Sequence, residues 1–153
     1  MAGVPFPGGA RVGQVMVRGV RGATTVDKNV ASEILAATRE LLQVMQQAND
    51  LDPGDIISVF FTATPDLNAV FPAAAARDLG WDAVPLLDAV EMDAPGALPH
   101  CVRVLMHAYT DRDSQAVEHI YLRGAAVLRP DLRRRRSSSR EGDGMPLGSD
   151  RGR

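Results

Sequence analysis

The residues of this chain that could do chemistry are few, and most of them are arginines. Of its 17 basic residues, 16 are arginine and only Lys28 is lysine. The histidines His100, His107 and His119 share no ligand spacing with each other or with the single cysteine, Cys101, so no metal site is expected. His107 reads as a structural residue on a strand. A nucleophilic Cys101 needs a paired base and an electropositive setting, and is not favoured. There is no glycine-rich phosphate loop of either standard pattern and no Gly-x-Ser-x-Gly elbow. If the chain is an enzyme, its reaction should depend on positioning and charge complementarity rather than on proton shuttles.

Arginine number carries little weight, because abundant Arg, Ala, Gly and Asp with almost no Lys is also what a coding bias produces. Placement matters more. Seven arginines fall between Arg133 and Arg153 beside three acids, so this tail holds +4, and residues 1–132 hold −6 of the net −2. An acidic body argues against nucleic-acid binding, which goes with a basic face. Any anion must then be held by a few arginines focused in a pocket. With 153 residues, 45% hydrophobic and only 5% aromatic, the chain suits one domain with an aliphatic core. No segment approaches the ~20 apolar residues of a membrane span. The opening MAGVPFPGGARVG does not read as a signal peptide, and one cysteine fits a reducing compartment, so a cytoplasmic location is expected.

The elements that must position these residues follow from periodicity. Residues 1–14 read as a flexible leader, 15–132 as the folded domain, and 133–153 as a disordered Arg/Ser-rich tail. Gln14–Arg21 alternates like a strand, which Gly22 ends. Asp27 or Asn29 can cap a helix running to about Asn49, with Val30, Ile34, Ala37, Leu41, Met45 and Ala48 on one stripe. Asn49 to Gly54 turns the chain. Ile56–Thr62 is the strongest strand signal. Pro72 opens a short helix over Ala73–Leu79, and Ala83–Leu87 reads as a short strand. Met92–Leu98 is a loop. Cys101–Tyr109 is a strand placing Cys101, Arg103, Leu105 and His107 on one face. Ser114–His119 reads as a brief helix, and Tyr121–Leu128 as a strand bent at Gly124. The sum is an α+β (α/β-like) domain: a mixed sheet with one long and two short helices, covered on one side.

Three segments carry more than pattern: Val17-Arg18-Gly19-Val20-Arg21-Gly22-Ala23-Thr24-Thr25, then Ala63-Thr64-Pro65-Asp66-Leu67-Asn68-Ala69-Val70-Phe71-Pro72-Ala73, then Val127-Leu128-Arg129-Pro130-Asp131-Leu132. With Glu91-Met92-Asp93 and Cys101-Val102-Arg103-Val104, they resemble the monofunctional AroH-class chorismate mutases from about Val15 to Leu132. The resemblance implies a homotrimer forming a pseudo-α/β barrel with active sites at subunit interfaces. It also implies a cofactor-free Claisen rearrangement of the dianion chorismate to prephenate, on the path to phenylalanine and tyrosine. By resemblance the catalytic set is Arg103, Glu91 and Arg21. The substrate pocket adds Tyr121, the wall residues Phe71, Ala73 and Arg77, the stretch Leu87, Asp88, Ala89 and Val90, and Leu128 and Arg129 near a covering C-terminal segment.

Read as chemistry, that set is coherent. Charge builds on the ether oxygen as its C–O bond breaks, and a fixed guanidinium there binds the transition state better than the substrate. Arg21 and Tyr121 would grip carboxylates, and Glu91 would accept the ring hydroxyl. Plainer readings stand beside these. Arg21 or Arg103 could pair with an acid across an interface, Tyr121 could be core, Arg129 surface, and Glu91 a solvated loop acid. Asp88 departs from the pattern, since a neutral side chain is expected at that wall. As alternatives to a mutase, the chain could be a silent homologue binding a chorismate-type metabolite, or an enzyme acting on an isochorismate-type substrate. The arginine tail could steer anionic substrate or bind nucleic acid, against the plain reading of a solvated tail.

Overall fold

A computed structural model describes residues 14–131. The expected leader, apart from its last residue, and the expected Arg/Ser-rich tail lie outside the described residues. Five strands form one mixed sheet, ordered β3-β2-β4-β1-β5. They are β1 (Met16–Thr25), β2 (Ile56–Ala63), β3 (Leu86–Val90), β4 (Cys101–Thr110) and β5 (Ile120–Tyr121). β4 is the centre, antiparallel to β1 along ten residue pairs and antiparallel to β2 on its other side. The outer strands β3 and β5 join in parallel. The long helix α1 (Ala31–Ala48) and the short α2 (Ala74–Asp78) pack together on one face.

Strand alternation sorts the two faces. Along β4, Val102, Val104, Met106 and Ala108 are buried, joining Val20, Val59 and Phe61 and the helix residues Leu41, Leu42 and Met45 in the core. Trp81, the chain's one tryptophan, is fully buried in the same core. The opposite face of the sheet is open. On it the residues expected to share a side, Arg103, Leu105 and His107, do so, and only Cys101 at the strand's start is covered. Leu105 and Phe60 are 39% and 42% exposed there.

Several local expectations differ from the structure. Gly22 does not end β1. It lies under α1, where a Cβ would strike Sδ of Met45 and stand 3.1 Å from Leu41 Cδ1, so glycine marks a close helix approach rather than a turn. α1 is capped by neither Asp27 nor Asn29. Val30 holds the cap position, and the Asn29 side chain instead receives the backbone N–H groups of Asn68 and Ala69 at 3.0 Å. β3 starts at Leu86 rather than Ala83, because the chain first turns through Trp81–Val84 and Pro85 cannot donate to a ladder. Ser114–His119 is not a helix. The Asp113 carboxylate accepts N–H bonds from Gln115 and Ala116 and makes a turn. Nor is Tyr121–Leu128 a strand. After two residues of β5 the chain enters a 3-10 turn over Arg123–Leu128, because Gly124 N–H bonds to Thr25 Oγ1 and pulls the segment across the sheet.

Candidate active site

The side chains expected to be catalytic sit on the open face, and strand register places them. Ala89, Thr62, Arg103, Ala23 and Tyr121 lie side by side across all five strands, and the next row is Leu87, Phe60, Leu105 and Arg21. Glu91 follows β3 directly, its N–H bonded to the Ala63 carbonyl at 2.9 Å. Its carboxylate therefore returns to the Arg103 row. Thr62 Oγ1 donates to Glu91 Oε2, and Arg103 Nε stands 3.6 Å from the same oxygen. That separation is an ion pair but too long for a hydrogen bond. Arg103 Nε is buried with no hydrogen-bond partner although the side chain as a whole is 43% exposed, so the exposure belongs to the rest of the guanidinium arm.

Around this centre the fold supplies supports that spacing alone did not reveal. Thr64 Oγ1 donates to Asp66 at 2.5 Å and accepts the Cys101 N–H at 2.9 Å, fixing the start of β4 two residues before Arg103. Burial works against the Asp66 carboxylate, but the Thr64 hydroxyl and the N–H and ring of His100 outweigh it and lower its pKa. Cys101 is buried beneath Ala23 and Ala125, with Tyr121, Leu98 and Leu128 packed on it. Burial pushes its thiol pKa up, which removes the thiolate a nucleophile requires. Among the described residues, no three His, Cys, Asp or Glu side chains are grouped to hold a metal, and no helix is long and apolar enough to cross a membrane.

Arg21 is exposed on β1, and its backbone N–H donates to Nδ1 of His119 at 3.0 Å. Arg129 chelates Asp131 with two bonds of 3.0 and 2.8 Å, and this pairing, followed by the nearby Tyr121 phenol, raises its pKa further. Thus Arg21, Arg103, Glu91 and Tyr121 share the open face, with Leu128 and Arg129 beside Tyr121. The wall residues form a second group. Phe71, Asp88, Ala89 and Val90 line an apolar groove of about 520 Å³ with Pro65 and Leu67, and Phe71 and Val90 are 74% and 75% exposed. Ala73 is buried, and Arg77 faces a smaller pocket beside Trp81 and Asp82. Asp88 points to the helix side, opposite Leu87. Its Oδ1 accepts the Ala73 N–H at 3.0 Å, where burial raises its pKa against the opposing pull of that bond and of Arg77. The acid that departs from the expected wall is therefore committed to the start of α2. Two partners escaped sequence reasoning, Thr62 and His119. The one available signal was parity: Thr62 lies two residues from Phe60 on the outward side of β2, and His119 lies two before Tyr121.

Fold and site together describe a class, a small α+β protein whose open sheet face carries Arg21 and Arg103 on adjacent strands. Residues 17–132 match the family model of chorismate mutase type I. The chain belongs to that family. It is 46% identical over 119 residues to chorismate mutase AroH of Bacillus subtilis (strain 168), covering 77% of this chain and 94% of that protein. It is 49% identical over 118 residues to chorismate mutase AroH of Thermus thermophilus, covering 76% and 97%. Among solved structures, a chorismate mutase from Clostridium thermocellum is similar with a TM-score of 0.71 and 50% identity, over 72% of this chain and 98% of that one.

Proposed function

We propose that this protein is a chorismate mutase, rearranging chorismate to prephenate without a cofactor in phenylalanine and tyrosine biosynthesis. Family membership supports the reaction type. The observation that carries it is the pairing on the open face: a half-exposed Arg103 whose buried Nε has no hydrogen bond, beside a Glu91 held by Thr62. Arg103 is thereby placed by its strand and by charge, and its guanidinium is the group that meets the ether oxygen and a carboxylate in this reading. Thr62 occupies one oxygen of Glu91, which leaves Oε1 to accept the ring hydroxyl. Arg21 and Tyr121 grip carboxylates from the neighbouring strands.

Magnitudes divide the work. An acceleration of about 10⁶ requires about 8 kcal/mol. One preorganised donor at a developing charge supplies about 3–4 kcal/mol. The remainder falls to Arg21, Tyr121 and Glu91, which hold chorismate in the compact shape where its reacting carbons meet.

The assembly in this reading is a cytoplasmic homotrimer with its sites between subunits. Two features support it. The cation-bearing face also exposes Val17, Phe60, Leu87 and Leu105, an apolar surface that a neighbouring subunit would cover. In addition, the groove lined by Phe71 and Val90 includes neither Arg103 nor Glu91, which is in keeping with a site completed by a second subunit.

The test is chorismate loss and prephenate formation by the purified protein, with isochorismate run alongside. Turnover of chorismate above buffer is expected. Binding without conversion makes the chain a silent homologue, and preference for isochorismate moves it to a related reaction.

A further inference from the structure

β1 is paired along its whole length on the β4 side but along only two residues, Gly22 and Ala23, on the β5 side. The chain reaches β5 from an irregular stretch, and side chains replace the missing ladder. The buried Asn49 amide brackets Glu118, accepting its N–H at 2.8 Å and donating to its carbonyl at 2.9 Å. One residue on, the imidazole of His119 accepts the Arg21 N–H at 3.0 Å. A backbone N–H can only donate, so Nδ1 is the bare nitrogen and Nε2 carries the hydrogen. The next residue, Ile120, is fully buried, and Tyr121 then pairs with Ala23.

We propose that His119 is a positioning residue for this reaction: its neutral ring stands in for a strand carbonyl and locks Arg21 and Tyr121, the two carboxylate-gripping groups, in register. The inference rests on the chorismate mutase reading and adds to it a residue that touches no substrate. His119 sits on the same side of its segment as Tyr121 and bonds directly to the backbone of Arg21, so one ring sets the spacing between the two grips. Without that bond, β1 ahead of the Gly22–Ile120 pair has no ladder partner on this edge among the described residues, and the Arg21 guanidinium swings with its backbone.

The groups facing the ring make the contact pH-sensitive. Burial holds its pKa below the ordinary imidazole value of 6.5, and the charges of Arg21 on β1 and Arg129 after the 3-10 turn lower it further. Glu118 and Tyr121 flank it on its own segment, Glu118 with its backbone held by Asn49. Protonation must occur on Nδ1, the atom that accepts the Arg21 N–H. It therefore breaks the bond and adds a third positive charge beside the two arginines.

The experiment compares the full chain with His119→Leu, which removes the acceptor, and His119→Asn, whose Oδ1 takes the place of Nδ1 without titrating. Chorismate turnover is followed from about pH 8 to about pH 5. In the leucine variant KM is expected to rise about tenfold with kcat within about twofold, the pattern for losing a binding geometry rather than transition-state charge. In the asparagine variant KM is expected near wild type, and the acid fall of kcat/KM, which reports the free enzyme, should disappear. A wild type without turnover overturns the function and this inference together. Turnover with an unchanged KM in His119→Leu, or an acid limb that persists in His119→Asn, overturns this inference alone. Should His119→Leu not fold, the ring nitrogen chemical shifts of the wild type decide: a bare Nδ1 supports the proposal and an Nδ1–H tautomer refutes it.

Discussion

Replacing Arg103 by alanine separates what this side chain does for catalysis from what it does for the fold. Among the described residues its ion-pair partner is Glu91 at 3.6 Å, and the arginine side chain is 43% exposed. An ion pair so placed contributes no more than about 1 kcal/mol. Its buried Nε makes no hydrogen bond, so truncation orphans no partner there and removes an unsatisfied donor. Stability should therefore change by less than about 1 kcal/mol in urea unfolding. Catalysis should suffer far more. Loss of one preorganised donor costs about 3–4 kcal/mol, and kcat should fall by about 10² to 10³. Arg103→Lys keeps a charge but loses the planar fork, and should recover only part of the loss. The assay is prephenate formation at saturating chorismate, paired with unfolding curves on the same samples. A kcat within about threefold of wild type removes Arg103 from its role. A fall in kcat matched by a collapse in stability would refute the reasoning in another way, by showing that the arginine is structural.

Three further outcomes follow from the geometry. Gly22→Ala should cost about 1–3 kcal/mol in urea unfolding, since its Cβ meets Met45 and stands 3.1 Å from Leu41 Cδ1; an unchanged or raised midpoint refutes the tight contact. Asp88→Asn keeps an acceptor for the Ala73 N–H and removes a half-buried charge, so its melting temperature near neutral pH should exceed that of wild type. The sign for the wild type follows from the raised carboxyl pKa. The folded state holds the proton more tightly, so Asp88 favours folding increasingly as pH falls through its folded pKa toward the ordinary carboxyl value of 3.8, and Asp88→Asn should lose that contribution in melts taken across the range. Leu105→Asp on the open face should leave each subunit folded and drive sedimentation to the monomer with loss of turnover; an intact oligomer would show that this face is not the interface.

What the sequence disclosed and what it hid divide along physical lines. Period-two alternation correctly put Arg103, Leu105 and His107 on one side of β4, because residues facing a core must alternate with those facing away. Pro72 gave the place of α2 but not its start: the helix runs Ala74–Asp78 with Ala73 at the cap position, so the proline stands one residue before the cap rather than in the first turn. Local pattern failed where a distant segment decided the conformation. Gly22 is glycine because of Met45, and the stretch after Tyr121 leaves the sheet because of Thr25. The site behaved likewise. The arginines and Glu91 of the proposed site are named by resemblance, whereas Thr62 and His119 make hydrogen bonds to residues 29 and 98 positions away, which no short motif can encode. Asp88 reads as a wall acid from its place in the sequence, whereas its strand parity turns it toward Ala73.

The burial of Trp81 gives the molecule an optical gauge of its own state. The chain has one tryptophan, only 2% exposed, lying just after α2 and bonded by its backbone N–H to the Ala76 carbonyl. Its emission should be blue-shifted in the native protein and move to the red when water reaches the indole. Arg77, Asp82, Val84 and Leu86 share its pocket, so a ligand that engages Arg103 and Glu91 without reaching Arg77 should leave the emission wavelength still. A red shift that precedes the loss of far-ultraviolet helix signal would time the departure of α2 from the core ahead of α1, and so reveal in what order the two helices let go of the sheet.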